Sequence, residues 1–134
     1  MADLNTFYAS WTPRLLSVLR IIAAFLLIPH GAQKLFGFLA QPGMQGPPTF
    51  SQMWFGGVLE FFGGLLLLVG LFTRPVAFIL SGMLAVAYFQ FHAPGAFWPL
   101  QNKGEVAVLY CFVFLFLAVA GGGEWSLDRI LRRR

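Results

Sequence analysis

The stretch "FLLIPHGAQKLFGF", residues 25–38, decides the fold because it combines an apolar run with three polar side chains. Its first half is as apolar as a membrane helix, and His30, Gln33 and Lys34 then follow within the same helical pattern. Lipid offers no hydrogen-bond partners, so a helix carrying such groups must turn them toward other protein segments. The stretch therefore predicts a membrane helix with one polar face.

The composition of the whole chain also indicates a membrane protein. Its 134 residues are 58% hydrophobic and only 10% charged, with a mean hydropathy of +0.74, whereas a soluble domain of this size needs more polar surface. A spanning helix takes roughly 20 mainly apolar residues. Four segments fit this requirement: about 15–38, 52–72, 75–92 and 105–121. The sequence predicts an all-α integral membrane four-helix bundle, a single domain over residues 1–134 with no room for a soluble nucleotide-binding unit.

The first segment must be compared with a cleaved signal peptide, since Arg14 and Arg20 precede its apolar run. The helical pattern continues through Lys34-Leu35-Phe36 without a small-x-small cleavage site. We therefore expect the segment to stay in the protein as its first helix.

Basic residues predict the orientation of the chain. Only Lys34 and Lys103 fall on one side of the predicted bundle. The other seven of the nine lie at the N-terminal end, in the second loop and in the tail: Arg14, Arg20, Arg74, Arg129, Arg132, Arg133 and Arg134. Cytoplasmic loops carry such an excess. Both termini are predicted to be cytoplasmic, in a multi-pass protein of a bacterial or archaeal inner membrane.

The C-terminal tail, residues 122–134, is predicted to be a short amphipathic segment at the membrane interface. Ser126 can cap a new helix, and the apolar side chains that follow face one way. The arginines are expected to contact anionic lipid headgroups. They also account for the net charge of +4, so the chain is not expected to bind nucleic acid.

Polar residues of all four segments are predicted to gather at the non-cytoplasmic side. His30 is eight positions before Phe38, and Glu60 is eight positions after Gln52. At a rise of 1.5 Å per residue, His30 and Glu60 both lie about 12 Å below that surface. Lys34 is one turn from His30, which predicts an ion pair of Glu60 with Lys34 or His30. The candidate ligand-binding residues are His30, Gln33, Lys34, Glu60, Tyr88, His92 and Glu105.

Small residues support this arrangement on two helices. Gly57, Glu60 and Gly64 share one face of the second segment, where a neighbouring helix can approach closely. Glu60 is therefore predicted to point inward. A similar stripe on the third segment, ending in Tyr88 and His92, predicts that the hydroxyl and the imidazole face the bundle interior.

Four motifs in order resemble the DoxX family of small four-helix membrane proteins. They are "PHGAQKLFG", "EFFGGLLLLVGLFTRPVA", "GEVAVLY" and "GGGEWSLD", and the resemblance runs from about residue 14 to 128. The positions that match the family pattern are Pro29, His30, Gly31, Lys34, Glu60, Gly63, Gly64, Thr73, Arg74, Glu105, Trp125, Ser126 and Asp128. The resemblance implies an inner-membrane protein linked to quinone-dependent oxidation or membrane oxidoreductase complexes, with related branches that are assembly or accessory factors.

Two functions follow from the polar cluster. In the first, it binds a quinone headgroup: His30, Lys34 and Tyr88 donate hydrogen bonds, Glu60 and Glu105 pass protons, and nearby phenylalanines flank the ring. Those phenylalanines are Phe36, Phe61, Phe62 and Phe89. In the second, the chain is an accessory or structural subunit whose polar network only fixes helix register. Both predict membrane-protein partner subunits or a homo-oligomer, and neither makes the chain a complete enzyme.

Other cofactors are less favoured by the sequence. His30 and His92 are on different helices, as haem ligation needs, but their predicted depths differ. Metal-ligand spacing is absent, and the single cysteine, Cys111, leaves no dithiol or thiolate site within one chain. A transporter would be expected to show an internal repeat or broken helices.

Overall fold

The computed structural model of the protein describes residues 2–132, and within that range it contains helices and no strand. The helices are α1 (Ala2–Phe36), α2 (Gln52–Val69), α3 (Thr73–Gly95), α4 (Pro99–Asn102), α5 (Glu105–Ala120) and α6 (Leu127–Arg132). Three of them, α1 to α3, are long and apolar enough to cross a membrane, and α5 is a shorter apolar helix of 16 residues. The predicted all-α membrane fold is confirmed; the four-span count and the orientation of the termini stay predictions.

Helix α1 begins far before the predicted membrane segment. It runs without a break through Pro13 and Pro29 and has Asp3 in its first turn, where a carboxylate favours a helix start. Its 35 residues extend about 52 Å at 1.5 Å per residue, well beyond the roughly 30 Å of a hydrocarbon core. Part of α1 therefore extends beyond such a core; its first turns, with exposed Phe7 and Tyr8, precede the predicted segment.

The bundle consists of two helix pairs, α1 with α2 and α3 with α5. Their shared core is apolar and includes Leu27, Leu67, Leu80 and Phe114. The first pair is held unusually close by glycine: a Cβ on Gly31 would lie 2.5 Å from the backbone nitrogen of Phe61 and 2.7 Å from the carbonyl oxygen of Gly57. The predicted close-packing face of α2 is confirmed, since Gly57, Glu60 and Gly64 are all buried.

Two helices contain a widened, π-helical turn. In α2 it spans Leu59–Gly63 and includes Glu60, and in α3 it spans Tyr88–His92. Such turns insert one extra residue and are frequent at functional sites. Here both coincide with residues that the sequence singles out as candidates for ligand binding.

The C-terminal tail is docked on the bundle, which the sequence did not predict; contact of its arginines with lipid headgroups stays a prediction. The Asp128 carboxylate accepts hydrogen bonds from the backbone N–H groups of Phe72 (2.8 Å) and Thr73 (2.9 Å) and so caps α3. Glu124 N–H donates to the Pro13 carbonyl at 3.1 Å. The predicted capping role of Ser126 is confirmed by its hydrogen bond from the Arg129 N–H at 3.3 Å. Arg133 and Arg134 lie outside the described residues.

Arg20 is the largest correction to the sequence analysis. The sequence assigned it to a charged cytoplasmic flank, but its side chain is fully buried. The guanidinium donates to the carbonyl oxygens of Leu67 (2.8 Å), Gly122 and Trp125 (2.8 Å), and so joins α1 to the end of α2 and to the docked tail. Ser17, one turn earlier and also buried, donates to Gly122 and accepts from the Trp125 N–H. We call this group of residues the Arg20 cluster.

Candidate functional site

A cavity of about 650 Å³ lies between the helix pairs, toward the end of the bundle opposite to the docked tail. All four long helices line it: Leu27 belongs to α1, Leu59 to α2, Met83 to α3 and Tyr110 to α5. Most of the lining is apolar, and a few polar side chains are grouped among it. An apolar pocket with few convergent polar groups is the usual form of a small-molecule site.

The central polar contact of the cavity is an ion pair between α1 and α2. Lys34 Nζ lies 2.8 Å from Glu60 Oε1 and 3.0 Å from Oε2, so the ammonium bridges both carboxylate oxygens. The side chain of Glu60 is only 8% exposed and that of Lys34 29%. Gly57 makes room, because a Cβ there would lie 2.9 Å from Lys34 Cβ. The predicted pairing of Glu60 with Lys34 is confirmed.

Two histidines also line the cavity, in different states. His92 is partly buried, and its Nδ1 lies 3.1 Å from the carbonyl oxygen of Asn102. His30 is exposed and has no hydrogen-bond or ion-pair partner among residues 2–132. Its imidazole is therefore available to a ligand, while that of His92 is already oriented by the backbone.

The other three candidate residues lie outside the cavity lining. Gln33 follows Gly31 by two positions, so its side chain leaves α1 on the side away from α2. Its Nε2 donates to the Leu39 carbonyl at 3.3 Å. The Tyr88 hydroxyl accepts a hydrogen bond from Asn102 Nδ2 at 3.1 Å. Glu105 is exposed at the first position of α5. The structure thus brings His30, Lys34, Glu60 and His92 together and leaves Gln33, Tyr88 and Glu105 apart.

The aromatic lining also differs from the prediction. Phe61 contacts both Phe36 and Phe62 edge to face outside the cavity, and Phe89 is exposed. The rings that do line the cavity are those of Phe55, Phe91 and Tyr110. The predicted set follows closeness in sequence to the polar residues, whereas the lining depends on the direction in which each side chain leaves its helix.

Residues missed by the sequence analysis complete the site. Gln52 and Lys103 line the cavity, and Gln52 Nε2 donates to Gln90 Oε1, joining α2 to α3 at the end of the bundle opposite to the docked tail. Tyr110 also lines it, together with Val106 and Ala107. Val106, Ala107 and Tyr110 have the spacing i, i+1, i+4, which places them on one helical face. This signal is present in the sequence.

The Lys34–Glu60 pair gives a first prediction. Replacing Lys34 by methionine is expected to destabilise the protein by about 2 kcal/mol, because the nearly buried carboxylate of Glu60 loses its charged hydrogen-bond donor. The double variant Lys34→Met/Glu60→Gln removes both charges and should recover about half of that loss. Thermal unfolding of the purified variants in one detergent measures both effects; additive losses in the double variant would contradict a coupled pair.

The fold and the cavity define a class: a small, multi-pass, all-helical membrane protein with a polar-ended internal pocket. The sequence profile of the DoxX family matches residues 15–93. The chain belongs to the DoxX family.

Relatives of known sequence agree with this assignment. An uncharacterized protein of Haemophilus influenzae is 40% identical, covering 88% of this chain and 91% of the relative. The inner membrane protein YqjF of Escherichia coli is 32% identical over 87% of this chain and 92% of its own length. An uncharacterized membrane protein of Mycobacterium tuberculosis is 27% identical over 100% of this chain and 96% of its own. No solved structure matches the chain. The protein is a multi-pass inner membrane protein, as predicted.

Proposed function

We propose that the cavity binds a membrane-dissolved redox molecule of the quinone class and that the chain supplies this site to a membrane oxidoreductase. The observation that carries the proposal is the apolar cavity of about 650 Å³ with the Lys34–Glu60 pair in its wall. That volume falls within the roughly 300–1,000 Å³ of ligand pockets. A quinone has matching parts, a flat apolar ring and carbonyl oxygens that accept hydrogen bonds.

The lining residues provide the donors and proton carriers that quinone chemistry needs. His30 has no hydrogen-bond or ion-pair partner in the described part of the chain and can donate a hydrogen bond to a carbonyl oxygen. Lys34 can donate from the proton that is not directed at Glu60, and the Glu60 carboxylate can accept a proton when the charge in the cavity changes. Electrons must come from a partner protein, so we place the chain as a subunit or accessory of a larger complex.

The cavity wall also supports entry from the lipid phase. Between α2 and α3, exposed side chains such as Phe55, Leu59, Ile79 and Val86 belong to the lining. These two helices contact each other near Gly63 and Leu80 and again through Gln52 and Gln90. The stretch between these contacts gives a hydrophobic ligand a route that avoids water.

Gly82 allows a test that fills the cavity without disturbing the fold. It lines the cavity, and a Cβ there would have no neighbour within 4 Å. We expect Gly82→Leu to weaken binding of decylubiquinone to the purified protein by about tenfold or more, since a buried clash costs about 1–3 kcal/mol. Gly95→Leu is the matched control, because Gly95 has equally open surroundings and lies outside the lining. Unchanged binding in Gly82→Leu, or an equal loss in both variants, would refute the assignment of the cavity.

An accessory role without a ligand is the second candidate, and one observation favours it. Lys34 and Glu60 satisfy each other within the bundle, as a pair that only fixes helix register would. The variants Glu60→Gln and His30→Ala distinguish the two functions. A quinone site predicts loss of quinone-dependent turnover for each assembled copy of the complex. A register role predicts lower stability or retention in the complex, with normal turnover for each assembled copy.

A further inference from the structure

A second cavity, of about 390 Å³, lies at the other end of the molecule, between the α2–α3 turn and the docked tail. We call it the tail cavity. Its charged lining residues are Arg74, Asp128 and Arg132, and its apolar ones include Phe72 and Leu131. None of these residues belongs to the cavity proposed above for quinone, so the tail cavity needs an explanation of its own.

The arginines of the tail cavity keep free donors. Arg74 is exposed and has no hydrogen-bond or ion-pair partner among the described residues. Arg132 uses only Nε, which donates to the Asp128 carbonyl oxygen at 3.3 Å. The one carboxylate in the lining, that of Asp128, is already engaged by the backbone N–H groups of Phe72 and Thr73. Two guanidinium groups therefore outweigh one internally bonded carboxylate.

Thr73 adds an independent sign of a missing partner. It lines the tail cavity, its side chain is fully buried, and its hydroxyl Oγ1 has no hydrogen-bond partner within residues 2–132. Buried hydroxyl groups nearly always have such a partner. Thr73 is also the first residue of α3. The Asp128 carboxylate already binds the backbone N–H groups at this helix end, so the Thr73 hydroxyl is the donor there that lacks a partner among the described residues. An acceptor oxygen of a bound anion would satisfy the hydroxyl.

Apolar side chains beside the arginines indicate the kind of anion. Phe72 is 61% exposed and Leu131 50% exposed, and both line the cavity. A soluble anion gains nothing from such neighbours, whereas the glycerol and acyl part of a lipid covers them. Guanidinium groups bind phosphate oxygens in a two-pronged geometry. We propose that the tail cavity is a binding site for the phosphate group of an anionic phospholipid, held by Arg74 and Arg132.

The proposal is tested with the full-length chain in a neutral detergent, given equal amounts of phosphatidylglycerol and phosphatidylcholine. Native mass spectrometry then counts the lipids retained on each protein. We expect one tightly held phosphatidylglycerol that an excess of inorganic phosphate does not displace. Arg74→Gln/Arg132→Gln should weaken its binding about 25-fold, because each arginine contributes about fivefold at a lipid surface.

The matched control is Arg14→Gln/Arg129→Gln, which removes the same charge from residues outside the tail cavity and should retain phosphatidylglycerol. Arg74 and Arg132 are exposed, so the first variant is expected to fold, and thermal unfolding checks this. If it does not fold, Arg74→Lys/Arg132→Lys keeps the charge, loses the two-pronged geometry and should still weaken binding severalfold. Equal retention of both lipids, equal losses in both glutamine variants, or displacement by inorganic phosphate would each overturn the proposal.

Discussion

Replacing Arg20 by methionine is expected to destabilise the folded protein by about 4 kcal/mol, the largest effect of any single substitution proposed for it. Methionine fills a similar volume but donates no hydrogen bond. The carbonyl oxygens of Leu67, Gly122 and Trp125 would each lose a charged donor, although Gly122 keeps the Ser17 hydroxyl and Leu67 keeps the Gly70 N–H. A hydrogen bond from a charged group contributes about 1.5–3 kcal/mol, and relaxation recovers part of the sum of the three. The tail should also detach, because two of these carbonyls belong to it.

Arg14→Met is the control for this prediction. Arg14 lies on the same helix and is a partly exposed arginine, but the ion pair that it forms with Glu124 is 3.8 Å long. A pair of this kind contributes less than about 1 kcal/mol. Thermal unfolding and protease cleavage after Arg129 report stability and tail release. If Arg14→Met and Arg20→Met behave alike, the effect is one of net charge and the Arg20 cluster has no special structural role.

Gly31→Ala is expected to destabilise the α1–α2 pair by about 3 kcal/mol, although it adds a single methyl group to a good helix position. The added Cβ would lie 2.5 Å from Phe61 N and 2.7 Å from Gly57 O. Both are backbone atoms, so no side-chain rotation relieves the clash and the helices must move apart. The separation would also lengthen the Lys34–Glu60 contact, since Lys34 is one turn further along the same face.

Gly82→Ala is the control that separates the effect of the close α1–α2 contact at Gly31 from the general effect of replacing a glycine. A Cβ at Gly82 has no neighbour within 4 Å, and alanine has the higher helix propensity, so this variant should be as stable as the original protein or slightly more so. Both variants are compared by thermal unfolding in one detergent. A Gly31→Ala protein as stable as Gly82→Ala would show that α1 and α2 are not in close backbone contact.

The parts of the structure that were predictable depend on local patterns. Hydropathy and helical periodicity are properties of neighbouring residues, so they predict the all-α membrane fold and the inward face with Gly57 and Glu60. The ion pair between Lys34 and Glu60 was predictable because few partners are available to a carboxylate in lipid. His30 and His92 were predicted for the same half of the bundle, although at different depths, and both line the cavity.

Depth does not give the direction of a side chain around its helix, and this explains the candidates that fall outside the cavity. Gln33 and Glu105 lie near the correct level, but Gln33 turns away from α2 and Glu105 is exposed. Tyr88 instead forms a hydrogen bond with Asn102, which the long connection before α5 brings back to it. Fixing these directions requires the packing of all the helices, which no single segment encodes.

Arg20 could not be placed because its partners are backbone carbonyls distant in sequence. Leu67 is 47 residues away and Trp125 is 105 residues away. A carbonyl oxygen has no side-chain signature, so no motif predicts that it will accept such a bond. The count of positive charges near helix ends treats a buried arginine and an exposed one alike.

The docking of the tail also sets the order in which the protein can be completed during synthesis. Arg20 is synthesised about a hundred residues before Gly122 and Trp125, which accept two of its hydrogen bonds. Until then the first helices carry a cation without its full set of partners. A chain cut short before Gly122 therefore keeps a buried arginine that lacks two of its three carbonyl acceptors.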